Sequence, residues 1–523
     1  MKKDILYLYS YKKQTMSQTL DNSKRIAKNT LILYVRMLFT VGISFYSTRL
    51  ILANLGVENY GIYNVIGGFV SMFYMVTSTM TQAVSRFLTF DLGRGDIAKL
   101  QKTFSTSVNI LLLMSFVVVL LAETVGLRFV NNKLNIDDGR MLAANWIYQF
   151  SVFSFVLEMI SVPYGASVIS HEKMGTFAFV TIAKVLLTLG IAFVLTISPI
   201  DRLVFYGLLV FLVGLAIQAM YWVYCRKNFE ECRYSVRIEK DIFKDMFGFA
   251  GWNFLTTCAC MLSSQGVNIL LNMHFGAFIN AASGVASQIN STVGAFSRNF
   301  TKAISPQITK QYSLNNFEYT KSLVCKGAKF SFLAFFIIAL PCMLEIDFIL
   351  SIWLKEVPRY AGIFVQLVLL NSLIEILVNT SEVLNAATGK IRNYQIIVSS
   401  VQMGIVFFSY LVVSITNNPI LTMAVSNILY LLVFVPRILS NKPYVGITFG
   451  FYYKNVLQGI LLMIITTTSL TLIPVLLMTD GWERLVVVGS VSTISSIVSS
   501  FIFVLSNGEK DKILGFVKRK IKK

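Results

Sequence analysis

Six ionisable side chains stand inside long apolar runs of this 523-residue chain: Arg36, Arg49, Glu158, Lys184, Glu375 and Glu382. A charge at the centre of a bilayer costs at least roughly 2.5–3.5 kcal/mol on the insertion scale, so each needs a reason to be there. Glu375 and Glu382 are seven residues apart, nearly on one helix face. Looking into a cavity, they and Glu158 are the candidates to couple transport to protons or sodium. Glu158 could equally serve as the structural partner of a cation. Arg36 and Lys184 are candidates to line a lumen, and Arg49, near the outer end of its run, divides between that role and snorkelling to the interface.

Uncharged polar groups add a second layer. Gln265, Asn268 and Asn272 are spaced by three and four and form one stripe on a helix. The next run is also polar and carries Gln288. Such a stripe either lines a hydrated groove or makes helix–helix hydrogen bonds. Arg86 and Arg298 close two runs at their inner ends. They are either ordinary interfacial anchors or a docking point for a phosphate-bearing headgroup, which a guanidinium grips bidentately. Glu345 and Asp347 follow Pro341, where a broken helix would let water reach them. No enzyme chemistry assembles: there is no GxxxxGK[ST], HExxH or GxSxG, and the histidines are His171 and His274 alone. No cofactor and no metal are expected, and the chain reads as a transporter.

The elements that position these groups are membrane spans. The chain is 55% hydrophobic and 14% charged, against about 25% charged for a soluble chain. Its apolar runs match the roughly 20 residues that cross a bilayer as a helix. About fourteen spans result, the first over 30–54 and the last over 484–506, giving an all-α polytopic membrane protein. Spans 60–84 and 277–299 are polar, and they are retained because losing either would invert every later loop. One register puts 36 of the 46 basic residues on one side and 7 on the other. By the positive-inside rule both termini are cytosolic, and the net +20 is mostly a topology signal directed at anionic lipids, with no nucleic acid implied. No cleavable signal peptide is expected, and Met16 is an alternative start. The six cysteines form no disulfide framework and are expected as free thiols.

The segment Thr81 to Thr89 matches Thr301 to Thr309 at an offset of 220, which also superposes Gly56 on Gly276. Six spans lie between equivalent points, so the copies keep one orientation, as in a parallel repeat. The expected organisation is a cytosolic segment 1–29, an N-lobe of six spans over 30–225 and a basic linker 226–246. A C-lobe of six spans over 247–436, a terminal pair with its preceding loop over 437–506 and a basic tail 507–523 follow. Substrate in such an architecture sits between the lobes, which rock about it.

Leu55-Gly56-Val57-Glu58-Asn59-Tyr60-Gly61-Ile62-Tyr63, after the lead-in Lys28-Asn-Thr-Leu31, resembles the LGxExYGxY turn of bacterial polysaccharide flippases. Those belong to the multidrug/oligosaccharidyl-lipid/polysaccharide (MOP) superfamily. Arg86-Phe-Leu-Thr-Phe-Asp-Leu-Gly-Arg-Gly-Asp96 and His171-Glu-Lys-Met174 are similar to inner loops of its lipopolysaccharide biosynthesis branch. The resemblance spans the whole chain. It implies translocation of an undecaprenyl-pyrophosphate-linked oligosaccharide from the inner to the outer leaflet of the bacterial inner membrane. Arg36 and Lys184 would bind pyrophosphate or acidic sugars, and the last two spans would shape a groove for the lipid tail. The related peptidoglycan-precursor flippases carry several arginines along the first span; Arg36 and Arg49 alone stand there here, which favours another glycan.

Three readings follow: a polysaccharide-unit (O-antigen-type) flippase working by alternating access, a cation-coupled multidrug or metabolite exporter, and a non-transporting scaffold of a glycan assembly complex. A polysaccharide polymerase and glycosyltransferases are the protein partners the first implies, with the chain itself a monomer.

Overall fold

The computed structural model describes residues 2–511 except 57, 58, 60, 61, 64, 65, 68, 69, 71, 72, 134–137, 237, 238, 276, 355 and 356. At 2–24, 45, 48, 49, 52, 133, 138, 272, 277, 278, 280 and 281 only the backbone is described. Among these residues the chain is helical, with fourteen long helices. They are α1 (Lys2–Leu55), α2 (Tyr74–Arg94), α3 (Ile97–Leu121), α4 (Met141–Ser170), α5 (Met174–Val194), α6 (Arg202–Asn228) and α7 (Lys240–Phe275). The second seven are α8 (Ala277–Ser313), α9 (Phe317–Leu344), α10 (Ala361–Thr388), α11 (Arg392–Thr416), α12 (Pro419–Leu439), α13 (Gln458–Leu477) and α14 (Trp482–Ser499).

Twelve of these helices, with their continuations, are long and apolar enough to cross a membrane. Among the described residues the two that are not are α2 and α8, the polar pair expected from the loop register. Both run past their expected ends at 84 and 299, to Arg94 and Ser313. The segments after them, expected as inner loops, are therefore largely helical. Gly95 stops α2 with φ +75°, a conformation that costs glycine little. One residue later the Asp96 carboxylate accepts from the Lys99 N–H at 2.9 Å and starts α3.

The chain divides into two compact units, 1–254 and 255–523, with the border inside α7. In the first, α2 packs on α3 and α4, α3 on α4, α4 on α6, α5 on α6, and α1 on α5. In the second, α8 packs on α9 and α10, α9 on α10, α10 on α12, and α11 on α12. Gly266 of α7 lies against Val406 of α11, completing the series. The principal helix pairings of the first unit thus recur in the second with a shift of six helices, the interval that the 220-residue offset predicts.

The terminal pair α13 and α14 packs on itself and, through α14, on α9. Lipid tails are as apolar as leucine, so small and hydroxylated residues rather than large apolar ones bring helices together. Ser492, Ser495, Ser496 and Ser499 form a buried seam on α14, and Thr467 and Thr471 are buried on α13. Thr466 Oγ1 donates to Ser499 Oγ at 3.1 Å across that seam. All six cysteines are thiols.

Candidate functional site

In the first unit Arg36 of α1 is half-buried, its guanidinium carbon 5.1 Å from the centre of the Phe177 ring of α5. Tyr221 of α6 faces the same cation. Phe177 and Lys184 are seven residues apart on α5, two turns and nearly one face. Lys184 is exposed. Glu158 of α4 accepts a hydrogen bond from the Tyr74 hydroxyl of α2 at 2.9 Å. The side chain of Arg49 lies outside the described residues.

Arg86 is half-buried among aromatic rings, with its guanidinium carbon 4.5, 4.8 and 5.9 Å from the centres of Phe87, Phe90 and Phe249. The motifs around it make a dense set of contacts within the unit. Thr89 and Ser170 hydroxyls meet at 2.8 Å, and Thr103 donates to the buried Asp91 carboxylate at 2.7 Å. His171 contacts Glu231 at 2.7 Å and stacks on Phe229. Glu172 takes a left-handed φ of 57° and pairs with Arg25 at 2.8 Å. Glu231 and Glu172 are nearly inaccessible, 4% and 2% exposed, so these pairs tie the α4–α5 turn to the segment after α6 and to α1.

In the second unit the polar stripe is split. Gln265 is exposed, Asn268 accepts from Ser283 of α8 at 2.8 Å, and the side chain of Asn272 lies outside the described residues. Gln288 is exposed on α8. Arg298 turns back along its own helix to donate to the Ser291 carbonyl at 2.6 Å. Gly294 makes room for it: a Cβ there would stand 2.5 Å from the guanidinium.

Glu375 and Glu382 are brought together by a residue that the sequence reading placed in an inner loop. Arg437 sits in the last turn of α12, beyond the expected span end at 436, and is buried. Its Nη1 is 3.8 Å from Glu375 Oε1, its Nη2 is 3.3 Å from Glu382 Oε2, and its Nε donates to Tyr394 Oη of α11 at 3.0 Å. Gln402 of α11 donates to the Tyr430 hydroxyl of α12. The signal that pointed here was the acid pair itself, since two carboxylates in a span require a counter-charge on a neighbouring helix.

Glu345 corrects another expectation. The helix does break there, α9 giving way to a short helix at Ile346–Trp353, but water does not reach the carboxylate. Its side chain is fully buried and gripped by Arg484 of α14. Asp347, two residues on, is exposed. Among the described residues no group of three or more histidines, cysteines or carboxylates is placed to hold a metal.

No family profile matches the sequence, and no curated protein matches it significantly. Solved structures do match in fold. One described as MATE in the bent conformation superposes with a TM-score of 0.71 at 10% identity, covering 81% of this chain and 96% of that one. A multidrug resistance MATE family transporter of the MOP superfamily, in an outward-facing conformation, gives 0.67 at 9% identity over 80% and 96%. A MOP superfamily transporter from Pyrococcus furiosus, described as having a binding pocket of reverse polarity, gives 0.64 at 11% over 79% and 95%. Fourteen helices in a six-helix repeat with a terminal pair, and these superpositions over four-fifths of the chain, make this a multi-pass membrane protein with the fold of the MATE transporters of the MOP superfamily.

Proposed function

We propose that the chain is a flippase that moves an undecaprenyl-pyrophosphate-linked oligosaccharide across the bacterial inner membrane by alternating access, supplying surface polysaccharide or lipopolysaccharide synthesis. The observation that carries this reading is a cation of α1, Arg36, held against α5, the helix that also carries Lys184. Arg36 covers Phe177, and Lys184 stands two turns further along the same helix, about 10 Å by helix rise. Cations on these two packed helices suit a pyrophosphate and an acidic sugar. A cation exporter would place carboxylates there. The reverse-polarity pocket described for the Pyrococcus furiosus transporter supports the view that this fold accommodates a change in the charge of its cargo. Both termini are read as cytosolic, from the distribution of basic residues.

A deletion strain tests the reading. It should lose the surface glycan and regain it with the wild-type gene but not with Arg36→Ala. The second reading is a cation-coupled exporter, favoured by the acid pair Glu375 and Glu382 and by the multidrug resistance transporter among the structural neighbours. Drug hypersensitivity of the same strain with an intact glycan would select it.

A further inference from the structure

Every nitrogen of the Arg437 guanidinium is engaged, Nη1 toward Glu375, Nη2 toward Glu382 and Nε on the Tyr394 hydroxyl. The burial is unequal. The arginine side chain is 5% exposed, while Glu375 and Glu382 keep 39% and 46%. The acids are the more exposed partners of the cluster, and the cation is buried behind them. The other titratable side chains facing the cluster are Tyr394 and Tyr430, on α11 and α12, and Cys260 on α7.

A hard metal cation is bound by a shell of oxygen ligands with carboxylates turned toward it. Here each carboxylate already has an oxygen directed at a fixed positive charge, and a second cation would sit beside that charge at low dielectric, where repulsion is strong. With phenols and thiol neutral, two carboxylates and one guanidinium leave a net charge of one negative unit. A single proton neutralises it. Glu382 is the closer partner of Arg437, 3.3 Å against 3.8 Å. Glu375 is the more loosely held acid.

We propose that Arg437 is a built-in counter-cation that excludes metal cations from the Glu375–Glu382 pair and leaves one proton, carried by Glu375, as the ion this cluster exchanges. The proton passes from water to a Glu375 carboxylate oxygen, an O–H bond forms, and Glu382 stays ionised on Arg437. The cluster goes from one negative charge to neutral, the form cheaper to enclose in the membrane. Its use in a transport cycle rests on the reading under Proposed function; the site itself is tested on the protein alone.

The test uses the purified full chain in nanodiscs, with radioactive sodium and rubidium as probes. Wild-type protein should show no saturable binding of either ion, and its thermal midpoint should be the same in sodium, potassium and choline chloride at equal ionic strength. Arg437→Gln, which frees both acids, should gain saturable cation binding, lost again on adding Glu375→Gln. Should Arg437→Gln fail to fold, infrared difference spectra on acidification decide with the remaining variants. A protonated-carboxyl band should appear in wild type and be lost in Glu375→Gln, where Glu382 alone balances Arg437. Saturable sodium or rubidium binding to wild type that Glu375→Gln removes overturns the proposal. So does a band that depends on Glu382 and not on Glu375.

Discussion

Arg484 grips Glu345 at two points, Nε to Oε1 at 2.9 Å and Nη2 to Oε2 at 2.9 Å, across the break that ends α9. The carboxylate is wholly buried and the guanidinium is 11% exposed. Lys326 of α9 and Glu509, beyond α14, approach to 3.9 Å at the other end of the same two helices. The terminal pair is therefore tied to the second unit at both ends of α14 and belongs to it mechanically. Removing one partner of a buried pair leaves an uncompensated charge, at a cost of about 3–5 kcal/mol. Arg484→Ala should lower the thermal midpoint in detergent sharply, and Glu345→Gln combined with Arg484→Gln should lower it less. Equal losses would mean that packing, not charge, holds the contact.

The same terminal pair contains a close backbone approach. A Cβ at Gly459 of α13 would stand 2.4 Å from the Phe503 carbonyl oxygen just after α14. Backbone cannot yield as a side-chain tip can, so Gly459→Ala should cost about 1–3 kcal/mol, the range for overpacking. A thermal melt of the variant checks this, with Gly489→Ala on α14, where a Cβ meets nothing within 4 Å, as the tolerated control.

Asp201 supplies a pH dependence outside the membrane. It caps α6, accepting from the Leu203 and Val204 N–H groups at 3.0 and 3.2 Å, and pairs with Arg140. Burial raises its carboxyl, but the guanidinium and the two N–H groups outweigh that and hold it below the usual carboxylate range. A depressed carboxyl contributes stability that is complete above the unfolded value near roughly 3.9 and is lost as pH falls through the folded value. Asp201→Asn keeps a capping oxygen without the charge. The variant should be less stable than wild type at pH about 7, by under ~1 kcal/mol because the site is partly exposed, and the gap should close toward pH about 3. A gap that widens on acidification would reverse the sign.

How much was legible in the sequence depended on the kind of signal. Twelve spans follow from length and hydropathy, but α2 and α8 do not. They were recoverable because loop charge has a parity, and dropping either would scramble the distribution of lysine and arginine. The acid pair was legible from spacing, whereas its partner was not. A hydropathy reading ends a span at its first charged residue, and Arg437 is that residue after Pro436. The helix continues through it because Glu375, Glu382 and Tyr394, up to 62 residues earlier in sequence, compensate the buried charge. Glu345 failed for the same reason, since nothing local to Pro341 announces an arginine 139 residues away. The inner-loop motifs, legible as a family resemblance, hold the connections of the first unit together through His171–Glu231 and Arg25–Glu172.

The central claim concerns cargo, and proteoliposomes test it directly. Purified protein is reconstituted with a fluorescent undecaprenyl-pyrophosphate-linked oligosaccharide, and the fraction of label that becomes accessible to an impermeant quencher is followed in time. The account predicts protein-dependent translocation. It also predicts that Arg36→Ala slows this about tenfold to a hundredfold, the worth of a charge-assisted hydrogen bond of roughly 1.5–3 kcal/mol, and that Lys184→Ala slows it less. No translocation above protein-free vesicles, or rates unchanged in both variants, would contradict it.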